Sequence, residues 1–275
     1  MSDALVTANY DRGALAPRIA EGFAAAGTDI DGISVDDLAV VDEFHTGSRA
    51  ATEHVMAALG VAEGLRVLDV GCGIGGPARY CAAHLGATVD GVDLTPSYVE
   101  AARTLTDWVG LGDRARFHVG DGGSLGFDDA TFDRAYLLHV GMNVADKAAL
   151  FAELSRVVRP GGRVAVYDLM ATGAPGPAFP VPWARDPGAS FLATPEHYAE
   201  ALDGAGFTDV TSENRREHVL EFMTAAAQQA AKAEGPPPVG LHLLMGDDAG
   251  QRLANMVASL RAGAISPVLL VATRP

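Results

Sequence analysis

Cysteine is scarce in this sequence, and so is positive charge. The two cysteines, Cys72 and Cys81, stand nine positions apart, which excludes a disulfide framework and a cysteine-based metal site. We expect no metal, and a reducing cytoplasm as the location. The chain carries 20 lysines and arginines against 35 aspartates and glutamates, a net charge of −15. No cluster of five or more basic residues stands out. Nucleic acid and anionic membranes need a basic surface, so neither is expected as the main partner. No apolar run reaches 18 residues, and Met1–Tyr10 lacks a basic start followed by an apolar core, so we expect neither a membrane span nor a targeting segment. No internal repeat is visible. Core-forming material is ample: 48% of the 275 residues are hydrophobic, enough for one large domain or one domain with a cap.

The stretch 65–76, Leu-Arg-Val-Leu-Asp-Val-Gly-Cys-Gly-Ile-Gly-Gly, organises the rest. Leu65, Val67, Leu68 and Val70 read as a strand buried on both faces of a parallel sheet. It runs into Gly71, Gly73, Gly75 and Gly76, and a helical pattern starts at Pro77. Strand, glycine turn and helix start together make a cofactor site, because the backbone is bare and the first helical N–H groups are unpaired.

Helical stretches are expected before it, at 14–26, from Ser34 or Asp36 onward, and at 49–59 up to Gly60. Residues 1–64 thus form a helical preface, too sparse in apolar residues to be a core of their own. From Leu65 the pattern alternates, with strands at 65–70, 87–92, 115–119, 132–138 and 162–169 and helices at 77–85, 96–109 and 146–158. This predicts an α/β, doubly wound, mostly parallel sheet. A proline-rich segment, 171–194, interleaves aromatics and reads as a functional wall. After a helix at 195–204 and a strand at 207–211, an insert at 212–264 precedes a last strand, Ile265–Ala272. The insert comprises a helix near 216–234, a Gly235–Pro238 break, an apolar 239–245 and a helix near 248–262.

The second strand ends at Asp93, where a carboxylate can accept hydrogen bonds from both ribose hydroxyls. Asp93 is also placed to cap the helix that follows. Asp121, in a glycine turn after the third strand, faces the same crevice. Gly71-x-Gly73-x-x-Gly76 fits a dinucleotide fingerprint, and Asp69-x-Gly71-x-Gly73-x-Gly75 fits a second template, the first motif of class I S-adenosylmethionine methyltransferases. An NAD-dependent oxidoreductase would explain the glycine turn and Asp93. It would not explain Asp121 or the Arg159–Arg163 turn, and no Tyr-x-x-x-Lys pair is present.

Residues 65–170, through VLDVGCGIGG, GVDLTP, the Gly120-Asp121 pair, FDRAYLLHV and LSRVVRPGGRVAVYD, resemble the class I methyltransferases, within the methyltransferase type 11 group. The likeness is strongest to the sarcosine/dimethylglycine N-methyltransferase-like and ubiquinone-biosynthesis-like enzymes. It implies a Rossmann-like seven-stranded sheet with an antiparallel last strand. It also implies S-adenosylmethionine held by Asp69, Gly71, Gly73 and Gly75, with Asp93 on the ribose, Leu94 on the adenine, and Asp121 and Gly122 beside it. The segment Asp42–Gly47 resembles the one that closes over the methionine end, which brings in His45, Thr46 and Arg49. The insert departs from the family, whose last two strands usually form a tight hairpin.

His139, at the carboxyl end of the fourth strand, is the candidate base and a cofactor contact, and Asn143 the candidate for positioning the acceptor. Packing and helix capping are the alternative roles for these two. Tyr10, His45, Phe179, Trp183, Leu241, His242 and Met245 are expected to line an acceptor pocket. Their character favours a partly apolar metabolite over a small zwitterion such as sarcosine. The expected activity is methyl transfer from S-adenosylmethionine to such a metabolite, with a non-catalytic S-adenosylmethionine-binding protein as the alternative from another class. The insert is expected to serve as a lid or as an arm building a homo-oligomer.

Overall fold

Leu15, Ile19 and Phe23 recur at every fourth position, and in the computed structural model all three are buried on one face of a helix. The structure describes residues 2–11, 13–232, 235 and 237–275. The helix is α2 (Leu15–Ala25), preceded by α1 (Ser2–Tyr10) and followed by α3 (Val35–Asp42) and α4 (Ser48–Leu59). Ser34 starts α3 through a reciprocal capping box with Asp37. The sequence did not lead us to expect α1, whose apolar residues follow no clear stripe; Val6 is nevertheless buried.

The alternating region follows as expected: β1 (Arg66–Val70), α5 (Gly76–His84), β2 (Thr88–Asp93), α6 (Pro96–Trp108), β3 (Ala115–Val119), β4 (Phe132–Leu138), α7 (Lys147–Val157) and β5 (Val158–Ala171). Then come α8 (Pro195–Gly204), β6 (Thr208–Asn214), α9 (Arg216–Ala230), α10 (His242–Met245), α11 (Ala249–Ala262) and β7 (Ile265–Thr273). The seven strands form one sheet in the order β3-β2-β1-β4-β5-β7-β6. β7 runs antiparallel between β5 and β6, and the other pairs are parallel. Two details differ from expectation. β5 begins at Val158 rather than 162, because Phe132 already pairs with Val158 and a register shift before Arg134 absorbs Arg159–Gly162. Helix α9 stops at Ala230, while Ala233, Glu234 and Pro236, at the expected helix end and proline break, lie outside the described residues.

Each sheet face has its own core. Val67, Val89 and Tyr136 pack under α4, α5 and α6, while Leu68, Val70 and Leu137 pack under α7 and α8. Two further clusters build the roof. Helices α2 and α3 share one with α6 and α10, through Ile19, Leu38, Leu105 and Leu244. The other joins Val6 of α1, Trp183 of the proline-rich segment, Val219 of α9 and Met256 of α11.

A fully buried ion pair ties preface to sheet. Arg79 on α5 donates to Asp42 Oδ2 of α3 at 2.8 Å, and also to the carbonyl oxygens of Ile74 and Ala102 and to Thr106 Oγ1. Burial pushes the Asp42 carboxyl up to about 6, with the Arg79 charge opposing the shift.

Candidate active site

Strand order reverses at β1, whose chain-order neighbour β2 lies on one side and β4 on the other. Open α/β sheets place ligands at that switch, beyond the carboxyl ends of the strands. A cavity of about 520 Å³ opens there. Its floor is the glycine turn. Gly71 adopts φ +72°, and a Cβ on it would sit 2.3 Å from Val140 Cγ2. Gly73 adopts φ +54°, and a Cβ there would meet nothing within 4 Å; it would stand in the cavity itself. Its N–H donates to Asp93 Oδ2 at 2.9 Å, while Asp93 Oδ1 accepts from Thr95 N–H at 2.8 Å. Burial raises the Asp93 carboxyl. The Thr95 hydroxyl bonds the carboxylate as well, which leaves one acceptor site to offer a ligand.

Asp69 also stands on the cavity wall. Its side chain is buried against the Tyr136 hydroxyl, whose hydrogen bond opposes the rise in its pKa. Burial pushes this carboxyl up to about 8. Asp121, Gly122 and Leu94 complete this half of the wall. Asp121 Oδ1 accepts from Gly123 N–H at 2.8 Å, the short-range bond that holds its turn. Gly75 is not on the wall: it stands at the N-cap of α5, packed against Phe117 and Arg79, and so serves the turn rather than the cavity.

His139 stands between the two halves, with φ +59°, a backbone state uncommon for residues other than glycine. Its Nε2 lies 3.0 Å from Thr46 Oγ1, and Thr46 Oγ1 lies 3.2 Å from Tyr167 Oη. Tyr167 Oη also donates to the Thr46 carbonyl at 3.1 Å, and a carbonyl can only accept. One proton arrangement satisfies all three contacts. Tyr167 gives its proton to the carbonyl, Thr46 gives its own to Tyr167, and His139 Nε2–H donates to Thr46. Neutral His139 then carries its bare nitrogen at Nδ1. Burial holds the imidazole well below its ordinary pKa, with the neighbouring His45 acting in the same direction. His45 is itself driven down to about 4, first by burial.

The second half of the wall mixes expected and unexpected residues. Tyr10, His45, Thr46, Asn143, Trp183 and Leu241 line the cavity. Asn143 is fully engaged: it accepts from Tyr10 Oη at 2.9 Å and donates to the carbonyls of Trp183 and Ala189. It does not cap the following helix, which Asp146 does. Phe179, His242 and Met245, expected in the pocket, do not line it. Phe179 packs into the roof cluster, and on the single turn of α10 it is Leu244 that faces the cavity. Arg49 is likewise diverted, to Glu43, Asp36 and the Tyr80 ring. The sequence reading missed Phe222, Met223 and Ala226 of α9 and Leu253, Met256 and Val257 of α11. Their signal is an apolar stripe at helical spacing on two otherwise polar helices.

Residues 68–166 match the model of the family described as "Methyltransferase domain". The chain is 37% identical over 137 residues to methyltransferase GfsG of Streptomyces halstedii, covering 50% of this chain and 49% of that one. It is 32% identical over 188 residues to phosphoethanolamine N-methyltransferase of Triticum aestivum, covering 68% and 36%. The chain thus spans about half, or less, of the length of these curated relatives. Among solved structures, geranyl diphosphate C-methyltransferase of Streptomyces coelicolor A3(2) superimposes with a TM-score of 0.70 over 100% of this chain and 98% of that one, at 20% identity. With the strand order and the glycine turn, these matches identify a methyltransferase domain on a sheet of the class I order within this chain.

Proposed function

We propose that this protein transfers a methyl group from S-adenosylmethionine to a small, partly apolar metabolite. The observation that carries the reading is the glycine-floored cavity at the sheet's switch point, with Asp69, Asp93 and Asp121 on its wall. The residues present fit the cofactor. Gly71 and Gly73 leave room for it, Asp93 would hold the ribose, Leu94, Asp121 and Gly122 would flank the adenine, and Asp69 and Thr46 would face the cationic methionine end. When bound, S-adenosylmethionine supplies an electrophilic sulfonium methyl. His139 holds a bare nitrogen beside the acceptor half and takes the proton that an acceptor releases. Asn143 fixes Tyr10 and the proline-rich segment and so shapes the acceptor wall. Alignment of this kind is worth about 7–11 kcal/mol of barrier in well-oriented systems.

Residues 1–64 and the cap segments 171–194 and 212–264 act in this reading as the roof of a core at 65–275. The insert contributes to the cavity wall, and the homo-oligomer expected from its length stays part of the proposal, since one helical insert can both cover a site and meet a second copy. A cytoplasmic setting is part of it, supported by two buried free thiols. Among the described residues, no helix is long and apolar enough to cross a membrane.

The test is the pH dependence of S-adenosylhomocysteine binding by calorimetry. A carboxyl with a pKa raised to about 8 is mostly protonated at pH 6. Binding an ammonium group prefers it ionised, so affinity is expected to rise roughly tenfold or more from pH 6 to pH 8. Asp69→Asn should bind more weakly and lose most of that slope. A flat wild-type profile with unchanged affinity in Asp69→Asn would remove Asp69 from the cofactor site.

A further inference from the structure

The two halves of the cavity differ in charge. Every carboxylate on the wall belongs to the first half or its edge: Asp42 at the end of α3, Asp69 after Leu68 on β1, Asp93 at the end of β2, and Asp121 after β3. No lysine or arginine lines the cavity among the described residues. Both histidines on the wall are held neutral by burial. Beyond His139 the wall carries no charged side chain among the described residues: Tyr10 and Asn143 bond to each other, and the rest is mainly apolar side chains of α1, the proline-rich segment, α9 and α11. Two of them, Phe222 and Leu253, line the cavity and yet are 42% and 37% exposed. An apolar rim of this kind marks an entrance for an apolar ligand.

Resting on the methyl-transfer reading above, we propose that the acceptor is an uncharged, predominantly apolar molecule that enters between α9 and α11, and that Phe222, Met223, Leu253 and Met256 select it. A phosphate, carboxylate or ammonium group brought past that rim would shed its water with no counter-charge on this half of the wall to replace it. The buried cation on α11, Arg252, does not supply one. It lies 3.0 Å from Asp248, donates to Asn9 Oδ1 at 2.9 Å and to the Pro182 carbonyl at 3.3 Å, and is not part of the cavity wall. It clamps α1 and the proline-rich segment to α11 behind the apolar surface.

The proposal is tested with three probes that share one tail: 1-octanol, octyl phosphate and octyltrimethylammonium, titrated calorimetrically into protein saturated with S-adenosylhomocysteine. Octanol is expected to bind at least about tenfold more tightly than either charged probe. Leu253→Arg, at a partly exposed position that can hold a charge, should weaken octanol and strengthen octyl phosphate by about tenfold. Phe222→Lys should act in the same direction. Both variants should keep wild-type S-adenosylhomocysteine binding. Octyl phosphate binding as tightly as octanol to the wild type would overturn the proposal and implicate Arg252, whose Nε and Nη2 both lack a hydrogen-bond partner among the described residues, although Nε makes the ion pair with Asp248. Equal or tighter binding of the cationic probe, or no binding of octanol, would also overturn it. Failure of S-adenosylhomocysteine itself to bind, measured first, would instead remove the methyl-transfer reading.

Discussion

Replacing His139 with alanine is expected to lower methyl transfer by about 10²–10⁴-fold, the range for loss of a positioned general base. S-adenosylhomocysteine affinity should change far less, because the cofactor half of the wall is built mainly from the glycine turn, Asp69, Asp93 and Asp121. The imidazole is already neutral, so with S-adenosylmethionine saturating at every pH the wild-type rate should be flat from pH 6 to pH 8 and fall only at lower pH, where the ring protonates. Thr46→Val, assayed at saturating S-adenosylmethionine because Thr46 also faces the methionine end, tests the base through its hydrogen bond. It keeps the ring but removes the hydroxyl that accepts from Nε2–H, so the tautomer with a bare Nδ1 loses its preference. Turnover should fall by roughly tenfold with little change in KM for the acceptor. Steady-state rates of the three proteins, with an acceptor found by screening, check this; wild-type turnover in His139→Ala would reduce His139 to a packing residue.

The second large effect is on stability. Arg79→Ala removes one half of an ion pair whose partners are both fully buried. Breaking such a pair leaves an uncompensated charge and typically costs about 3–5 kcal/mol. In a chain of this size the unfolding midpoint should drop by on the order of 10 °C. The loss should depend on pH in a defined direction. Asp42 already has a raised pKa, and without Arg79 it rises further, so the folded form takes up a proton more readily than the unfolded chain. Stability held by that proton is present at low pH and lost as pH rises through the folded pKa. The variant should therefore be closer to wild type at pH 5 than at pH 8, and thermal unfolding at the two values measures it. Equal loss at both would mean that Asp42 does not carry the effect.

What could be read in advance followed from how local the governing physics is. The glycine turn, Asp93 and Asp121 obey short-range rules of strand, turn and helix start, and the structure places them on one cavity wall as their spacing implied. The sheet was legible for the same reason, since apolar alternation and the following helices leave few topologies. The acceptor wall was not. On α10 a single turn decides that Leu244 rather than His242 or Met245 faces the cavity, and no periodicity exists over four residues. Phe222 and Leu253 were overlooked because an apolar stripe on a polar helix announces a buried face without naming what it faces. Arg79 meets Asp42 across 37 positions of sequence, and Arg49 turns to Glu43 rather than to a ligand. Such pairings depend on tertiary placement that local pattern does not encode.

The most direct test of the central claim is thermal unfolding of the protein alone, with S-adenosylhomocysteine and with NAD. A ligand at about 100 times its dissociation constant stabilises the fold by roughly 2.7 kcal/mol, which for a chain of this size raises the midpoint by several degrees. A rise with S-adenosylhomocysteine and none with NAD is the predicted result. A rise with NAD alone would contradict the account, because the glycine turn and Asp93 would then serve a dinucleotide.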